Sequence, residues 1–324
     1  MASTTGRILE SVDEGKTFQL ISRPTPVAGS SERCCATLFE MPRTVGSIKE
    51  GSLLYAASDF TGGVPSMELY QSTDEGHTWS FHSVIKRAGD GKHGLWEPHF
   101  SIARDGALVV FWSDETDACC SQKLMQARTV DGHNWVDFRD TIATTVQSDR
   151  PGMVTTTKLP NGSYFMTYEV CGHFQCGVFA RTSPDGWNFG DPTDLGRLLR
   201  TGDGSYFAHA PQTVWIPNDG GMLLVIGQML YKSDGTVDAV RNGRTIFQNT
   251  SVDGSGPWSP MAAPIDVPRS FDNYCPNYSS ALLPVAAGTL LELATDYDEK
   301  RQCITYSDVM SMAHLEFKIA AHVR

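Results

Sequence analysis

The sequence predicts an all-β fold: a six-bladed β-propeller with an incomplete first blade, in a single domain over residues 1–324. Three observations predict it. A short turn motif recurs five times, strand-like runs fill the intervals, and no segment carries the 3.6-residue apolar period of an amphipathic helix.

The turn motif reads "SVDEGKTF" at 11–18 and "STDEGHTW" at 72–79, then "TVDGHNW" at 129–135 and "SPDGWNF" at 183–189. A degraded copy, "SVDGSGPW", lies at 251–258. The shared aspartate falls at 13, 74, 131, 185 and 253, with spacings of 61, 57, 54 and 68. A period of this size, with strands between, means a propeller or another repeat array. The aspartate accepts backbone N–H bonds across a tight turn, Ser or Thr adds a weaker copy, and Gly supplies positive φ. The aromatic residue then packs beside the hairpin strands.

The intervals supply the strands. Between Asp74 and Asp131 come "HFSIARDG", "ALVVFWSD" and "QKLMQART", each a short run bounded by turn residues. Five turns and a C-terminal tail give six blades. The first motif begins at Ser11, so the first strands of its blade are expected to be absent or replaced by the segment near "EFKIAAHVR".

The composition narrows the partners. The chain has 324 residues, 40% hydrophobic and 19% charged, with a formal net charge of −11. That charge repels phosphates and anionic lipid, so neither nucleic acid nor a membrane is expected as a partner. No run of about eighteen apolar residues is present. The eight cysteines, Cys34, Cys35, Cys119, Cys120, Cys171, Cys176, Cys275 and Cys303, form no paired C-x-x-C units. Neither a metal nor another cofactor is expected. Their even number, with sequons at Asn161, Asn249 and Asn277, suits a secreted, disulfide-bonded, glycosylated monomer, although "MASTTGRILES" has no apolar signal core. Spacing suggests the pairs Cys171–Cys176 and Cys275–Cys303, with the two doublets cross-linking neighbouring blades.

The turns orient the blades. If each joins strands three and four, the opposite face receives the start of every first strand and the end of every second. The second-strand ends are Asp59, Asp114, Glu169, Gln228 and Asp296. First-strand starts add Glu97 with Trp96, Arg150, His209 and Tyr278, which has Tyr274 close by. Carboxylates and aromatics converging on one concave pocket suit a sugar. Asp59 and Asp296 equally read as turn caps, Trp96 as blade packing, Asp114 with Glu115 as a solvated pair and His209 as a satisfied polar residue. Glu97 in "LWEPHF" and Glu169 in "FMTYEVCG" differ, because a carboxylate in an apolar run needs a partner or a function. Two carboxylates facing one pocket are what glycosidic cleavage requires.

At "LWEP", "DRPGM", "TYE" and "NYSSALLP" the chain resembles glycoside hydrolase family 93, exo-α-1,5-L-arabinanases on a sialidase-like propeller whose turns are Asp boxes. The resemblance runs from the first turn to near the C-terminus, and the separation of 72 between Glu97 and Glu169 fits it. It implies release of arabinobiose from arabinan with retention. Glu97 would be the acid/base, Glu169 the nucleophile supported by Arg150 and a tyrosine hydroxyl, and Tyr278 the tyrosine beside them, with Tyr274 as rival. The glutamate roles are open to exchange. Asp59, Trp96, Asp114, Arg150, His209, Gln228, Tyr274 and Asp296 would line the substrate site. A sialidase, or another exo-glycosidase on the same propeller, is the alternative enzyme. A non-catalytic sugar-binding propeller is the alternative class.

Overall fold

The computed structural model describes residues 1–2, 6–25, 33–60, 63–217, 220–286 and 288–312. Among them every named element is a strand. The hairpin β1 (Ile8–Glu10) and β2 (Gln19–Ser22) stands alone. Blade I holds β3 (Arg33–Glu40), β4 (Leu53–Asp59), β5 (Ser66–Ser72) and β6 (Ser80–Arg87). Blade II holds β7 (Leu95–Ile102), β8 (Leu108–Asp114), β9 (Lys123–Thr129) and β10 (Val136–Ile142).

Blade III holds β11 (Arg150–Lys158), β12 (Tyr164–Cys171), β13 (Gly177–Ser183) and β14 (Arg197–Leu198). Its sheet is widened by β15 (Tyr206–Ala208) and β18 (Met229–Tyr231). Blade IV holds β16 (Gln212–Ile216), β17 (Met222–Ile226), β19 (Thr245–Asn249) and β20 (Ser259–Ala262). Among the described residues blade V has three strands, β21 (Ala281–Ala286), β22 (Thr289–Tyr297) and β23 (Cys303–Ser311). Within each blade consecutive strands pair antiparallel.

The core lies between blades. Second strands are packed on both faces, so all seven residues of β8 are buried and its apolar run does not alternate. Leu54, Met67 and Leu69 of blade I pack with Phe100, Val110 and Trp112 of blade II. Val109 and Phe111 of blade II join Met166 and Tyr168 of blade III. Ile8 and Ile21 of the hairpin pack with Tyr55 and Tyr70 of blade I. On the hairpin's other side, a Cβ on Gly15 would meet the Leu291 side chain of blade V at 2.7 Å. The hairpin therefore sits between blades I and V.

The expectation of six blades is corrected to five, with the sixth place held by that hairpin. β1 begins at Ile8, so the hairpin supplies only the two strands flanking the first turn. The segment near "EFKIAAHVR" lies outside the described residues.

The repeated turns are built as the sequence requires. Asp74 Oδ1 accepts from Ser72 Oγ (2.7 Å) and Thr78 N (2.9 Å), and Oδ2 accepts from Thr78 Oγ1 (2.6 Å). Asp13 repeats this arrangement with Ser11 and Thr17. In the degraded copy, Asp253 receives Ser255 N (2.9 Å), while Asn249 takes over by donating to Ser255 O (2.8 Å). Asn249 and Asn277 are 2% and 3% exposed, so neither can carry a glycan in this fold; Asn161 is exposed.

The cysteines pair as Cys171–Cys176 and Cys275–Cys303, as spacing suggests. The doublets do not cross-link blades. Each closes on itself, Cys34–Cys35 and Cys119–Cys120, with Cα atoms 3.7 and 3.8 Å apart.

Candidate active site

The first strands deliver side chains through a repeated backbone device. Near the same end of each blade stands a non-glycine residue with positive φ: Cys35 (61°), Glu97 (57°), Met153 (53°), His209 (64°) and Asn277 (58°). In β3, β7 and β11 it coincides with a register slip, between Cys34 and Thr37, Trp96 and His99, and Gly152 and Thr155. Such bulges re-aim side chains next to active sites, and the left-handed conformation persists only where the surroundings enforce it.

Glu97 and Glu169 stand at the end of their blades opposite the Asp turns. In blade II the turn follows Thr129, whose ladder partner is Leu108, whereas Trp96 pairs with Ser113 five residues on. In blade III the turn follows Ser183, opposite Tyr164, and Glu169 lies five residues up the strand, on the order of 17 Å away.

The two carboxylates converge. Gly152 is the ladder partner of Glu169, and a Cβ placed on Gly152 would lie 3.7 Å from Glu97 Oε2. Glu97 Oε2 accepts from Ser113 Oγ (2.7 Å) and from Met153 N (3.2 Å). Glu97 is part-exposed as a residue, yet protein encloses most of its carboxyl. That desolvation first, and the charge of Glu169 second, push its pKa up to about 7 against the opposing hydrogen bonds.

Glu169, 7% exposed, accepts from Ala210 N (2.8 Å) at Oε2. The same oxygen lies 3.6 Å from His209 Nδ1, whose other nitrogen is 3.4 Å from Asp272. Burial opposes the imidazolium, but Glu169 and Asp272 outweigh it and raise the pKa of His209. Tyr278 completes the group. Burial, then Glu169 and Glu97, raise its pKa, so it remains a neutral hydroxyl, and it donates to Met153 Sδ (3.4 Å). Tyr274 is exposed and stands edge-on to it, with ring centroids 5.5 Å apart.

The expected support of Glu169 by Arg150 and a tyrosine hydroxyl is corrected by these contacts. Arg150 pairs with Glu115 and also bonds Gln122 Oε1 (2.6 Å) and Ser121 Oγ (2.9 Å). Its charge bears on Glu97 instead. From sequence Glu115 reads only as half of a solvated pair with Asp114; instead, besides Arg150, it receives Gly94 N (2.8 Å) and the Trp96 indole. Trp96 is part-exposed and packs on Phe60, with centroids 5.3 Å apart.

The ladder also corrects two expected lining residues, Asp59 and Asp114, by one register step. Ser58, Ser113 and Glu169 occupy matching positions, opposite Cys34, Trp96 and Gly152. Asp59 and Asp114 come one residue later and point to the other face, where both are 1% exposed. Asp114 is bound there by Trp112 Nε1 (2.7 Å), Thr116 N (2.8 Å) and Lys86 (3.5 Å). Gln228 is fully buried and donates to the Phe271 and Pro276 carbonyls (both 3.1 Å), so it braces the segment that carries Tyr278. Asp296 is half-buried and accepts from Tyr297 N (2.7 Å). Cys171, Cys176 and His209 come within ligand distance of one another, but the two sulfurs are joined and offer no thiolate pair.

A cleft of about 690 Å³ opens on the turn side, lined by Asn161, Arg181, Asp194, Arg197 and Asp253. Arg181 there bonds the Asp191 carbonyl and Arg197 the Gly254 carbonyl. It holds no carboxylate coupled to a second one, so the chemistry is assigned to the face with Glu97 and Glu169.

Comparison with solved structures gives neighbours of the same overall shape. One is an α-L-arabinanase of Penicillium chrysogenum complexed with arabinobiose. It is 28% identical, has a TM-score of 0.77, and the match covers 95% of this chain and 85% of that one. Another is the family 93 α-L-arabinofuranosidase of Fusarium graminearum with arabinobiose, 25% identical, with a TM-score of 0.75 and coverage of 94% and 85%. A Hadza microbial sialidase, 16% identical with a TM-score of 0.60 over 94% of this chain and 58% of its own, shares the fold. No protein-family model matches the chain, and no curated protein matches it in sequence. The sequence resemblance to family 93 is thus met by structural neighbours from that family.

Proposed function

We propose that this protein is a retaining exo-glycosidase that releases arabinobiose from α-1,5-L-arabinan outside the cell. The observation that carries the reading is the pair Glu97 and Glu169, brought from neighbouring blades to one pocket and coupled through their charges. The neighbours bound to arabinobiose support the sugar, and the four disulfides support an oxidising compartment.

Glu97, with its pKa raised to about 7, acts as the acid. Glu169 attacks the anomeric carbon as the C–O bond to the leaving sugar breaks, and Glu97 gives its proton to that oxygen. Glu97 then takes a proton from water, the water attacks the glycosyl-enzyme, and Glu169 is released with configuration retained. A retaining pair requires carboxyl oxygens about 5–5.5 Å apart.

The alternative sialidase chemistry uses a tyrosine nucleophile. Here burial and two neighbouring carboxylates keep the Tyr278 hydroxyl protonated, which opposes that role. Activity on linear arabinan, sialyl and galactofuranosyl substrates separates these readings. Azide should rescue Glu169→Ala with inverted product and Glu97→Ala with retained product; the opposite stereochemistry exchanges the roles. Sugar binding without cleavage of any substrate would leave a binding propeller.

A further inference from the structure

Blade I carries the same bulge as blade II but presents different chemistry at it. Cys34 pairs with Ser58 as Trp96 pairs with Ser113, and the slip follows in both strands. Cys35, with φ of 61°, therefore stands at the ladder position that Glu97, with φ of 57°, holds in the next blade. Cys35 is half of the Cys34–Cys35 disulfide, and both residues are part-exposed. Phe60, the residue after β4, packs against Trp96, the neighbour of Glu97. The pocket thus has an apolar flank of sulfur and aromatic rings next to its carboxylates.

We propose that the Cys34–Cys35 disulfide is a sugar-contacting plate, against which the C–H face of a neutral pentose unit packs. A disulfide between sequence neighbours closes a small ring and has no side-chain freedom left to lose on binding. It carries no charge and no hydrogen-bond donor, so water over it is displaced readily by C–H groups. The hydroxyls of the same sugar remain for the carboxylates. The identity of the sugar rests on the glycosidase reading above; the plate itself does not. Cys119–Cys120 provides an internal comparison, since it has the same chemistry in the loop after β8 rather than in a first-strand bulge.

The test uses the intact chain. Dithiothreitol reduces each disulfide to two thiols while it is oxidised to its own cyclic disulfide, and iodoacetamide traps the thiols for mass measurement. Saturating arabinobiose should slow trapping at Cys34–Cys35 about fivefold or more and leave Cys119–Cys120 unchanged, because only a covered disulfide is shielded. The double variant C34S/C35S should raise KM for arabino-oligosaccharides about tenfold with kcat little changed, and C119S/C120S should alter neither. Trapping equal with and without sugar overturns the plate while leaving the glycosidase reading intact. If arabinan is not cleaved, that reading falls, and protection by sialyl or galactofuranosyl sugars still supports the plate. Protection by none of the sugars overturns it.

Discussion

Glu97 and Glu169 are the same residue type in similar apolar strands, and their neighbours give them different surroundings. Glu97 is pushed toward its neutral form by burial and by Glu169, with Ser113 and Met153 pulling the other way. Under the proposed mechanism kcat/KM should fall as pH rises through about 7, where Glu97 loses its proton. Glu97→Gln should cost about a hundredfold to ten-thousandfold on unactivated substrates and remove that limb of the profile. Ser113→Ala removes a bond that favours the carboxylate, so the limb should move to higher pH; a limb that stays put or moves down would detach it from Glu97.

At the scale of the element, the turns and the second strands carry separate loads. Asp74 is held near pKa 2 by the Thr78 hydroxyl and N–H and by Ser72. A depressed carboxylate stabilises the fold above its ordinary pKa, and that contribution disappears as pH falls through about 2. Asp74→Ala should therefore lower the melting temperature at neutral pH, and more than Asp253→Ala, whose turn leans on Asn249. Glu292 in β22 behaves in the opposite sense. Burial raises its pKa to about 7, against the Ile265 N–H bond, and Asp308 adds to the rise. Below about 4.5 it is protonated in folded and unfolded chains alike. As pH rises toward 7 only the unfolded chain ionises, so stability falls, and the penalty persists above 7. Glu292→Gln should stabilise by on the order of 3 kcal/mol at pH 8 and by nothing at pH 4, read from denaturant melts at both values.

In the whole molecule, all four disulfides fall at the end of the blades that bears the glutamates. Cys34 lies opposite Ser58 near the end of β4, Cys119–Cys120 follows β8, Cys171–Cys176 joins β12 to β13, and Cys303 opens β23 opposite Tyr297. The hydrophobic clusters between blades contain no cysteine, and the buried Cys275 lies outside them. Graded reduction should therefore abolish activity before the far-ultraviolet dichroism of the strands changes; simultaneous loss would show that the blades themselves depend on the bridges. Cys275–Cys303 closes a loop of 28 residues, and C275S/C303S should cost about 3–4 kcal/mol by loop entropy.

The sequence by itself determined the repeat, the all-β class, the face on which Glu97 and Glu169 lie and two of the disulfides. Each of these depends on local order along the chain: the spacing of aspartates, the short apolar runs, the distance between two cysteines. The tertiary structure decided the rest. In blades I and II the residue facing the pocket from the second strand was displaced by one, to Ser58 and Ser113, because a bulge in the neighbouring strand sets the pleat and no bulge is visible in one strand's composition. The partner of Arg150 was Glu115, and the donor to Glu169 was the Ala210 backbone, 41 residues away. The number of blades was five with a hairpin, since a count of turns records only the flanking pair of strands. Periodicity and turn chemistry are properties of neighbours in the chain, whereas pairing across blades follows from how the closed ring packs.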